Sequence, residues 1–403
     1  MRPARGLLGW LLGGLLAAIA LAACAVPPPP SVPAPSFGLT AVPFAALPGW
    51  RQDHQAAAMP ALRRECAALM RLPPDQALGG DGTAAQVGGS AGQWRSLCAA
   101  SAVVPPGDDQ AARAMLEREL QPYAISDSGR TEGLFTGYYE PEVAGATRRG
   151  GRYQTPILRR PPDLVQVDLG DFAADLKGRS IAGRMSEERL VPYYDRAQIE
   201  DGALAARHLE MLFLADPVDA FFLEIQGSGR VLLPDGRVLR VSYDGQNGRP
   251  YVPVGRLLVE QGALARGEVS MQTIRAWLET HPDQARSLMD ANPSYVFFRL
   301  LPAMPLDEGP PGAFGVALTP GRSLAVDRRF LPLGAPVFVA TSNPIDRAPW
   351  QRLLLAQDRG GAIKGPVRGD IFFGWGPEAE TMAGRMQQAG AAYVLLPRAA
   401  PSV

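Results

Sequence analysis

The stretch AQDRGGAIKGPVRGDIFFGWG, residues 356–376, places two aspartates, Asp358 and Asp370, twelve positions apart. Asp358 follows the apolar run LLLAQ, and Asp370 begins the apolar run IFFGW. Both runs predict short strands, so both carboxyl groups are expected at strand ends that face one surface. Between them, Gly360 and Gly361 allow a ligand to approach the backbone closely, and Lys364 offers a positive charge.

Aromatic residues follow Asp370 and predict an altered acidity for its carboxyl group. Phe372, Phe373 and Trp375 can exclude water, and burial disfavours the charged form of a carboxyl group. Raising the pKa from about 3.9 to about 6 costs roughly 3 kcal/mol and leaves about one molecule in ten protonated at pH 7. Such a group can serve as a general acid. The ordinary alternative is a solvated or turn-capping aspartate, which fits Asp195, Asp235 and Asp327.

Other catalytic groups are poorly represented in the sequence. The three histidines, His54, His208 and His281, lie far apart without partners at metal-ligand spacing, which argues against a zinc site and a Ser-His-Asp triad. The GGAIKG segment lacks the G-K-[ST] of a phosphate-binding loop. We therefore predict no metal and no cofactor, which leaves carboxyl groups for the chemistry. Lys plus Arg equal Asp plus Glu at 40 each, so we predict no binding of nucleic acid.

The beginning of the chain predicts export and lipidation. Arg2 and Arg5 precede an apolar run that ends at LAAC, residues 21–24, which is similar to the lipobox of bacterial lipoproteins. This resemblance implies that residues 1–23 are a signal peptide, that Cys24 is acylated, and that the protein lies on the periplasmic face of the outer membrane. An uncleaved membrane anchor is the alternative. The proline-rich residues 24–37 predict an extended tether.

Cys66 and Cys98 are the two remaining cysteines, and helical patterns flank both. In an oxidising compartment a disulfide between them would close a loop of about thirty residues and contribute roughly 3–4 kcal/mol. Two separate buried thiols are the alternative.

The pattern along the chain predicts a mainly β protein with flanking helices. Residues 41–119 show helical spacing, whereas short strand patterns dominate from Leu134 onward and include FFLEIQGSGRVLLPDGRVLRVSYDG, residues 221–245. Helix returns after Ser270, and one more helix is predicted from Pro377 to a stop at Gly390. Many short strands with turns favour a closed barrel over an open sheet.

Paired tyrosines are compatible with a sugar substrate. Tyr138 and Tyr139, Tyr193 and Tyr194 combine flat rings with neighbouring polar groups. Packing at strand ends is the commoner use of such residues.

Six motifs, in order along residues 133–397, resemble the membrane-bound lytic murein transglycosylase A family. They are LFTGYYEPE (134–142), EIQGSGR (224–230), YVPVGRLL (251–258), NPSYVFFR (292–299), LAVDRRFLPLGAPVFV (324–339) and AQDRGGAIKG with GDIFFGWG (356–365 and 369–376). The resemblance implies a double-psi β-barrel domain, residues 38–140 and 266–403, with a smaller β domain, residues 141–265, inserted in it. A substrate groove is expected between the two.

The resemblance also implies an activity and a set of site residues. The activity is that of a peptidoglycan lytic exotransglycosylase, a lyase that cleaves the β-1,4 bond between N-acetylmuramic acid and N-acetylglucosamine and leaves a 1,6-anhydro end. Asp370 would be the catalytic acid and then base, with Asp358 in support. The residues expected to bind substrate are Thr136, Tyr138, Gln226, Ser228, Gly360, Gly361 and Lys364.

The expected partners are peptidoglycan strands, the outer membrane and cell-wall synthases. Two alternatives stay open: a hydrolytic glycosidase that uses Asp370 and Asp358 together, and a non-catalytic peptidoglycan-binding lipoprotein.

Overall fold

A computed structural model describes residues 37–78, 87–176 and 179–398. The predicted signal peptide, Cys24 and all but the last residue of the predicted tether lie outside this range. No helix in the described part of the chain is long and apolar enough to cross a bilayer.

The helices cluster in three parts of the sequence. They are α1 (Met59–Leu69), α2 (Arg95–Ala102), α3 (Asp109–Glu119), α4 (Arg196–Gln198), α5 (Pro217–Gln226), α6 (Val254–Glu260), α7 (Met271–Thr280), α8 (Pro282–Asp290) and α9 (Gly376–Arg385).

Strands make up most of the remaining regular structure. They are β1 (Phe37–Ala41), β2 (Leu120–Asp127), β3 (Glu132–Glu140), β4 (Glu142–Ala146), β5 (Thr155–Leu158), β6 (Val165–Asp168), β7 (Ser180–Ser186), β8 (Arg189–Pro192), β9 (Glu210–Leu214), β10 (Ser228–Leu232), β11 (Val238–Gln246), β12 (Val296–Leu300), β13 (Ser323–Val326), β14 (Pro336–Ser342), β15 (Pro349–Asp358), β16 (Arg368–Trp375) and β17 (Gln387–Pro397).

Strands from both ends of the described chain close into a barrel. The order is β17, β14, β15, β13, β16 and β3, and β3 pairs again with β17 to complete the ring. The pairs β3–β16 and β13–β15 are parallel, and the others are antiparallel. β13 is buried along its whole length, as expected for a strand with apolar neighbours on both faces. Helices α1 and α2 supply part of that cover, since Leu62 and Leu97 share one core with Leu324 of β13.

The residues between β3 and β13 build a second β structure. One sheet has the order β12, β11, β10, β4, β9 and β5, and a separate three-stranded sheet has the order β6, β7 and β8. The predicted class, a mainly β protein with a barrel and a second β domain inserted in it, is confirmed. The predicted domain boundaries at 140/141 and 265/266 stay a prediction. β12, beyond the second boundary, pairs within the second sheet.

A buried ion cluster joins the barrel to the second sheet. Glu140, the last residue of β3, accepts hydrogen bonds from Arg230 of β10 at 2.9 Å and from Arg240 of β11 at 2.8 Å. Arg230 also donates to the carbonyl oxygen of Leu306 at 2.8 Å, and its guanidinium lies 3.8 Å from the ring centroid of Trp375. Buried charges persist when they are paired and hydrogen-bonded in this way. The cluster therefore fixes β3, with its neighbouring site residues, against the second sheet.

Two local predictions are wrong, for different physical reasons. FFLEIQ was expected to be a strand but lies in α5, where Asp216 accepts a hydrogen bond from the Val218 amide at 2.8 Å and caps the helix. Gly227, with φ of 77°, ends that helix. The aromatic residues suggested a strand, but the capping residues on either side prevailed.

The second error concerns the last helix. Pro377 lies in the first turn of α9 as expected, but the helix ends at Arg385, and Gly390 lies in β17. A Cβ atom at Gly390 would lie 2.7 Å from the carbonyl oxygen of Ala340. The glycine thus permits close approach between strands rather than ending a helix.

A disulfide links the two N-terminal helices. Cys66 of α1 and Cys98 of α2 are bonded, with 5.3 Å between their Cα atoms and a sequence separation of 32. Both cysteines are buried in the core that the helices share with the barrel.

We predict that the double variant Cys66→Ser/Cys98→Ser loses about 3–4 kcal/mol of unfolding free energy, because opening this loop returns conformational entropy to the unfolded chain. Urea unfolding of both proteins under oxidising conditions measures the difference. Under reducing conditions the gap between the two proteins should nearly close. Equal stability under oxidising conditions would show that the bond contributes nothing.

Candidate active site

The two aspartates lie on either side of one barrel strand. In β13, Ala325 is in register with Asp358 of the parallel strand β15 and with Asp370 of the antiparallel strand β16. Their backbones are therefore two strand spacings apart, about 10 Å. From the sequence we expected both carboxyl groups on one surface. The strand between them, β13, comes from a segment more than thirty residues before Asp358.

Asp370 is partly buried and bonded to β3. Thr136, its register partner across β16 and β3, donates its hydroxyl to Oδ1 of Asp370 at 2.6 Å. Arg368 in turn donates to the Thr136 hydroxyl oxygen at 2.8 Å, which orients the hydroxyl proton towards the carboxyl group. Oδ2 of Asp370 accepts no hydrogen bond from any residue that the structure describes. One oxygen is held, and the other is free to carry a proton.

The environment of Asp370 favours that proton. Burial raises the pKa of Asp370 from its usual 3.8 to about 6, the nearby charge of Asp358 adds to the rise, and Thr136 and Arg368 oppose it. Because desolvation is the largest cause, the acidity depends on keeping water away from the carboxyl group.

Asp358 has a different environment. Oδ1 accepts the backbone amides of Arg359 at 2.9 Å and Ala313 at 3.0 Å, and Oδ2 accepts the Tyr138 hydroxyl at 2.8 Å. Burial raises the pKa of Asp358, and these three hydrogen bonds oppose the rise. With both oxygens occupied by donors, Asp358 is arranged as a fixed hydrogen-bond acceptor.

Tyr138 connects the second aspartate to the barrel interior. Burial raises the pKa of its phenol well above the usual range, and the Asp358 charge adds to the effect. The phenol therefore remains a proton donor. Its ring centroid lies 5.3 Å from that of the fully buried Phe372. Tyr138 thus contacts the strands of both aspartates, β15 through its hydroxyl group and β16 through its ring.

The three aromatic residues after Asp370 were expected to exclude water from its carboxyl group together, but they lie in different places. Phe372 shares a face with Asp370 two residues earlier, whereas Phe373 packs against Trp350 at 6.3 Å between ring centroids. Trp375 lies beyond a register shift in β16, under the Arg230 guanidinium. The strand alternation and this shift separate side chains that are adjacent in sequence.

Gln226 and Ser228 lie where the second sheet meets β3. Gln226 Oε1 accepts the Tyr139 amide at 3.2 Å, and Ser228 is buried at the start of β10. Among the described residues, no hydrogen bond joins either side chain to Asp358 or Asp370. Their place in substrate binding stays a prediction.

The loop between the aspartates is held by a residue that the sequence did not single out. Asp327, expected to be a solvated or turn-capping residue, caps its turn by accepting the Arg329 amide at 3.1 Å. It is also buried and accepts the Gly365 amide at 2.9 Å, which was not expected. Lys364, next to that anchor, is exposed, as is Gly361. The only sequence signal for this role was the position of Asp327 directly after an apolar strand.

Metal-ligand clusters and a cavity in the described residues were also compared with the position of the two aspartates. Within the described residues, no group of three or more His, Cys, Asp or Glu side chains is placed to hold a metal ion. A cavity of about 470 Å³ contains the buried pair Arg196 and Glu224 rather than the two aspartates. The barrel site is where a perturbed acid, a fixed carboxylate and oriented donors meet.

The structure thus places two carboxyl groups with different environments on two strands of a closed β-barrel. Residues 134–299 match the family model described as the MltA specific insert domain, and residues 322–396 match the 3D domain. The chain belongs to the membrane-bound lytic murein transglycosylase A family.

Individual relatives give the extent of the similarity. Membrane-bound lytic murein transglycosylase A of Escherichia coli K12 is 35% identical over 292 residues, 69% of this chain and 71% of the relative. The Vibrio cholerae protein of the same name is 31% identical over 269 residues, 65% of each chain.

Solved structures agree in fold. A membrane-bound lytic murein transglycosylase from Agrobacterium tumefaciens superposes with a TM-score of 0.78 at 36% identity, covering 90% of this chain and 98% of that one. E. coli MltA with bound chitohexaose has a TM-score of 0.63 at 26% identity, covering 85% and 90%.

We predict that Asp370→Asn stabilises the protein at neutral pH. Between about pH 4 and 6 the folded protein holds the Asp370 proton more tightly than the unfolded chain does, so wild-type stability falls as pH rises through this window. The isosteric amide removes that cost, which reaches about 3 kcal/mol above pH 6. Urea unfolding at pH 4 and pH 7.5 should give a small difference at the first and a large gain at the second. A variant less stable than wild type at pH 7.5 would contradict the assigned acidity.

Proposed function

We propose that this protein cleaves the β-1,4 bond between N-acetylmuramic acid and N-acetylglucosamine in peptidoglycan without adding water, and leaves a 1,6-anhydromuramyl end. As a member of its family it is an enzyme, a peptidoglycan lytic transglycosylase. The observation that supports the finer chemistry best is the carboxyl group of Asp370, whose pKa burial raises to about 6.

In the proposed first step, protonated Asp370 donates its proton to the glycosidic oxygen. The bond from C1 of the muramyl unit to that oxygen breaks, the N-acetylglucosamine side leaves as an alcohol, and positive charge develops at C1. With a pKa of about 6, about one molecule in ten carries the proton at pH 7, compared with about one in a thousand for an ordinary aspartate. This supports Asp370 as the acid.

In the second step, the same residue acts as the base. The muramyl O6 attacks C1 and closes the anhydro ring, and the Asp370 carboxylate accepts the O6 proton. No water is consumed, and Asp370 returns to its protonated form. Thr136 bonds only one carboxyl oxygen, which leaves the other to give and then take the proton.

The arrangement of Asp358 favours this route over the two-carboxylate hydrolase. A hydrolase needs a second carboxylate that is free to activate water or to attack the sugar. Both oxygens of Asp358 already accept hydrogen bonds, so neither is free to activate water or to attack a sugar. Asp358 is therefore proposed as a support that holds Tyr138 and contributes negative charge opposite the developing cation at C1.

The substrate is proposed to lie along the face that carries these residues, in contact with Thr136, Tyr138, Gln226, Ser228 and the loop that contains Gly360, Gly361 and Lys364. Gln226 ends α5 and Ser228 begins β10, next to the second sheet, whereas Thr136 lies in β3 of the barrel. A glycan strand bound there would contact both the barrel and the second β structure. The chitohexaose held by E. coli MltA supports a glycan ligand.

We expect Asp370→Ala to lower the release of soluble muropeptides from peptidoglycan sacculi by 10²-fold to 10⁴-fold or more, the usual share of a general acid. Mass spectrometry of the wild-type products should find ends that are one water lighter than reducing ends. Asp283→Ala, which removes an exposed carboxyl group on α8, is the matched control and should keep full activity.

Three results would contradict this assignment. Near wild-type release by Asp370→Ala would exclude the residue as the acid. Reducing ends in place of anhydro ends would favour the hydrolase. Binding of wild-type protein to sacculi with no release of product would favour the non-catalytic peptidoglycan-binding alternative.

Membrane attachment is proposed through acylated Cys24 at the periplasmic face of the outer membrane, where cell-wall synthases are the partners to test. The relatives are named membrane-bound transglycosylases, which supports attachment. With labelled palmitate, the wild-type protein should become labelled and sediment with the outer-membrane fraction, because two or more acyl chains anchor a protein stably. Cys24→Ala should stay unlabelled, and label on that variant would refute this anchor.

A further inference from the structure

A second, smaller cavity lies on the second sheet and is rich in arginine. It measures about 380 Å³, and its lining includes Arg159, Arg160 and Arg299, with Asp244 as the one carboxylate. Arg159 directly follows β5 and bridges to Phe298 of β12, so strands of one sheet hold these groups together. Their positions are therefore fixed by backbone pairing rather than by a flexible loop.

The positive charge of this cavity is largely unneutralised. Arg299 and Asp244 approach only to 3.9 Å, with 57% and 34% of their side chains exposed, so their attraction is weak. Arg160 uses one N–H on the carbonyl oxygen of Leu164 at 3.1 Å. In the part of the chain that the structure describes, the exposed Arg159 guanidinium has no hydrogen-bond or ion-pair partner. Since the whole chain is neutral, this cavity is a local concentration of positive charge.

Tyr243 connects the cavity to the candidate active site. Its amide donates to the carbonyl oxygen of Gly227 at 2.7 Å, between Gln226 and Ser228, and its next residue, Asp244, lines the cavity. Burial raises the pKa of Tyr243, and the charges of Arg359 and Arg160 oppose that rise. Arg359, whose charge acts on Tyr243, donates its backbone amide to Asp358 at 2.9 Å.

We propose that this arginine cavity binds the free carboxylates of acidic peptide side chains carried by the muramyl units of the glycan strand. The proposal rests on the function proposed above and names a second feature of the same substrate. Guanidinium groups match carboxylates through two parallel N–H···O bonds. The neighbouring rings and aliphatic groups, with Tyr243 43% and Leu300 46% exposed, suit the apolar parts of a peptide.

The test compares peptide-bearing strands with strands from which an amidase has removed the peptides. For Arg159→Ala/Arg299→Ala we expect KM on peptide-bearing strands to rise about tenfold, the loss typical of charge-assisted hydrogen bonds. The value of kcat should be unchanged, and KM on stripped strands should change less than twofold. Arg256→Ala/Arg266→Ala, which removes two exposed arginines elsewhere in the chain, should leave both substrates unaffected.

Chemical blocking of the peptide gives a second, independent readout. Amidation of its carboxylates should raise the wild-type KM by a similar factor. The KM of the double variant should not change on amidation, because the two changes remove the same interaction. If the effects of amidation and of the double variant on KM were fully additive, the proposal would be overturned. An equal rise of KM on both strand types would also overturn it, because the cavity would then bind the glycan itself. An unchanged KM of the double variant on both strand types would overturn it as well.

Failure of the proposed function can be recognised separately. If wild-type protein releases no anhydro product from either strand type, the catalytic assignment fails. Calorimetric binding of a soluble peptide-bearing muramyl disaccharide to the full chain then tests the cavity alone. A Kd weakened about tenfold in the double variant supports the cavity assignment, and an unchanged Kd overturns it.

Discussion

The exclusion of water from the carboxyl group of Asp370 is the constraint on which the site depends. Burial, with a smaller contribution from the charge of Asp358, raises its pKa to about 6 against an opposing hydrogen bond and an opposing charge. The pairing of β3, from the beginning of the fold, with β16, near its end, covers one edge of β16 and places Thr136 beside the carboxyl group. The proposed chemistry therefore depends on contacts between distant parts of the chain.

The two aspartates have different environments, although their side chains are chemically identical. Among the described residues, Asp370 has a donor on one oxygen only, whereas Asp358 has three donors on its two oxygens. The first environment favours a mobile proton and the second a fixed acceptor. When the surroundings of two titratable groups differ in this way, one group can serve as an acid at neutral pH while the other supports it. The buried Glu140 cluster then keeps β3 in place relative to the second sheet.

Sequence patterns predicted those features that depend on local order. The apolar run before Asp358 predicted the strand end found there, and the closed barrel followed from many short strands and turns. Asp370 was expected to begin its strand but lies two residues inside β16. The insertion of Ala325 between the two aspartates could not be predicted, because it depends on pairing between distant segments. The helix at 217–226 was missed since its aromatic residues outweighed its capping residues in the interpretation. Asp327 was placed with ordinary turn aspartates because nothing local shows that it holds the Gly365 amide.

The central claim is that Asp370 holds a proton near neutrality, and its titration tests this most directly. Carboxyl carbon chemical shifts of aspartate-labelled protein, followed by NMR from pH 3 to 8, can be assigned to Asp370 by comparison with Asp370→Asn. The account predicts a midpoint of about 6 for this resonance. A midpoint near 4, as for an aspartate in water, would contradict it.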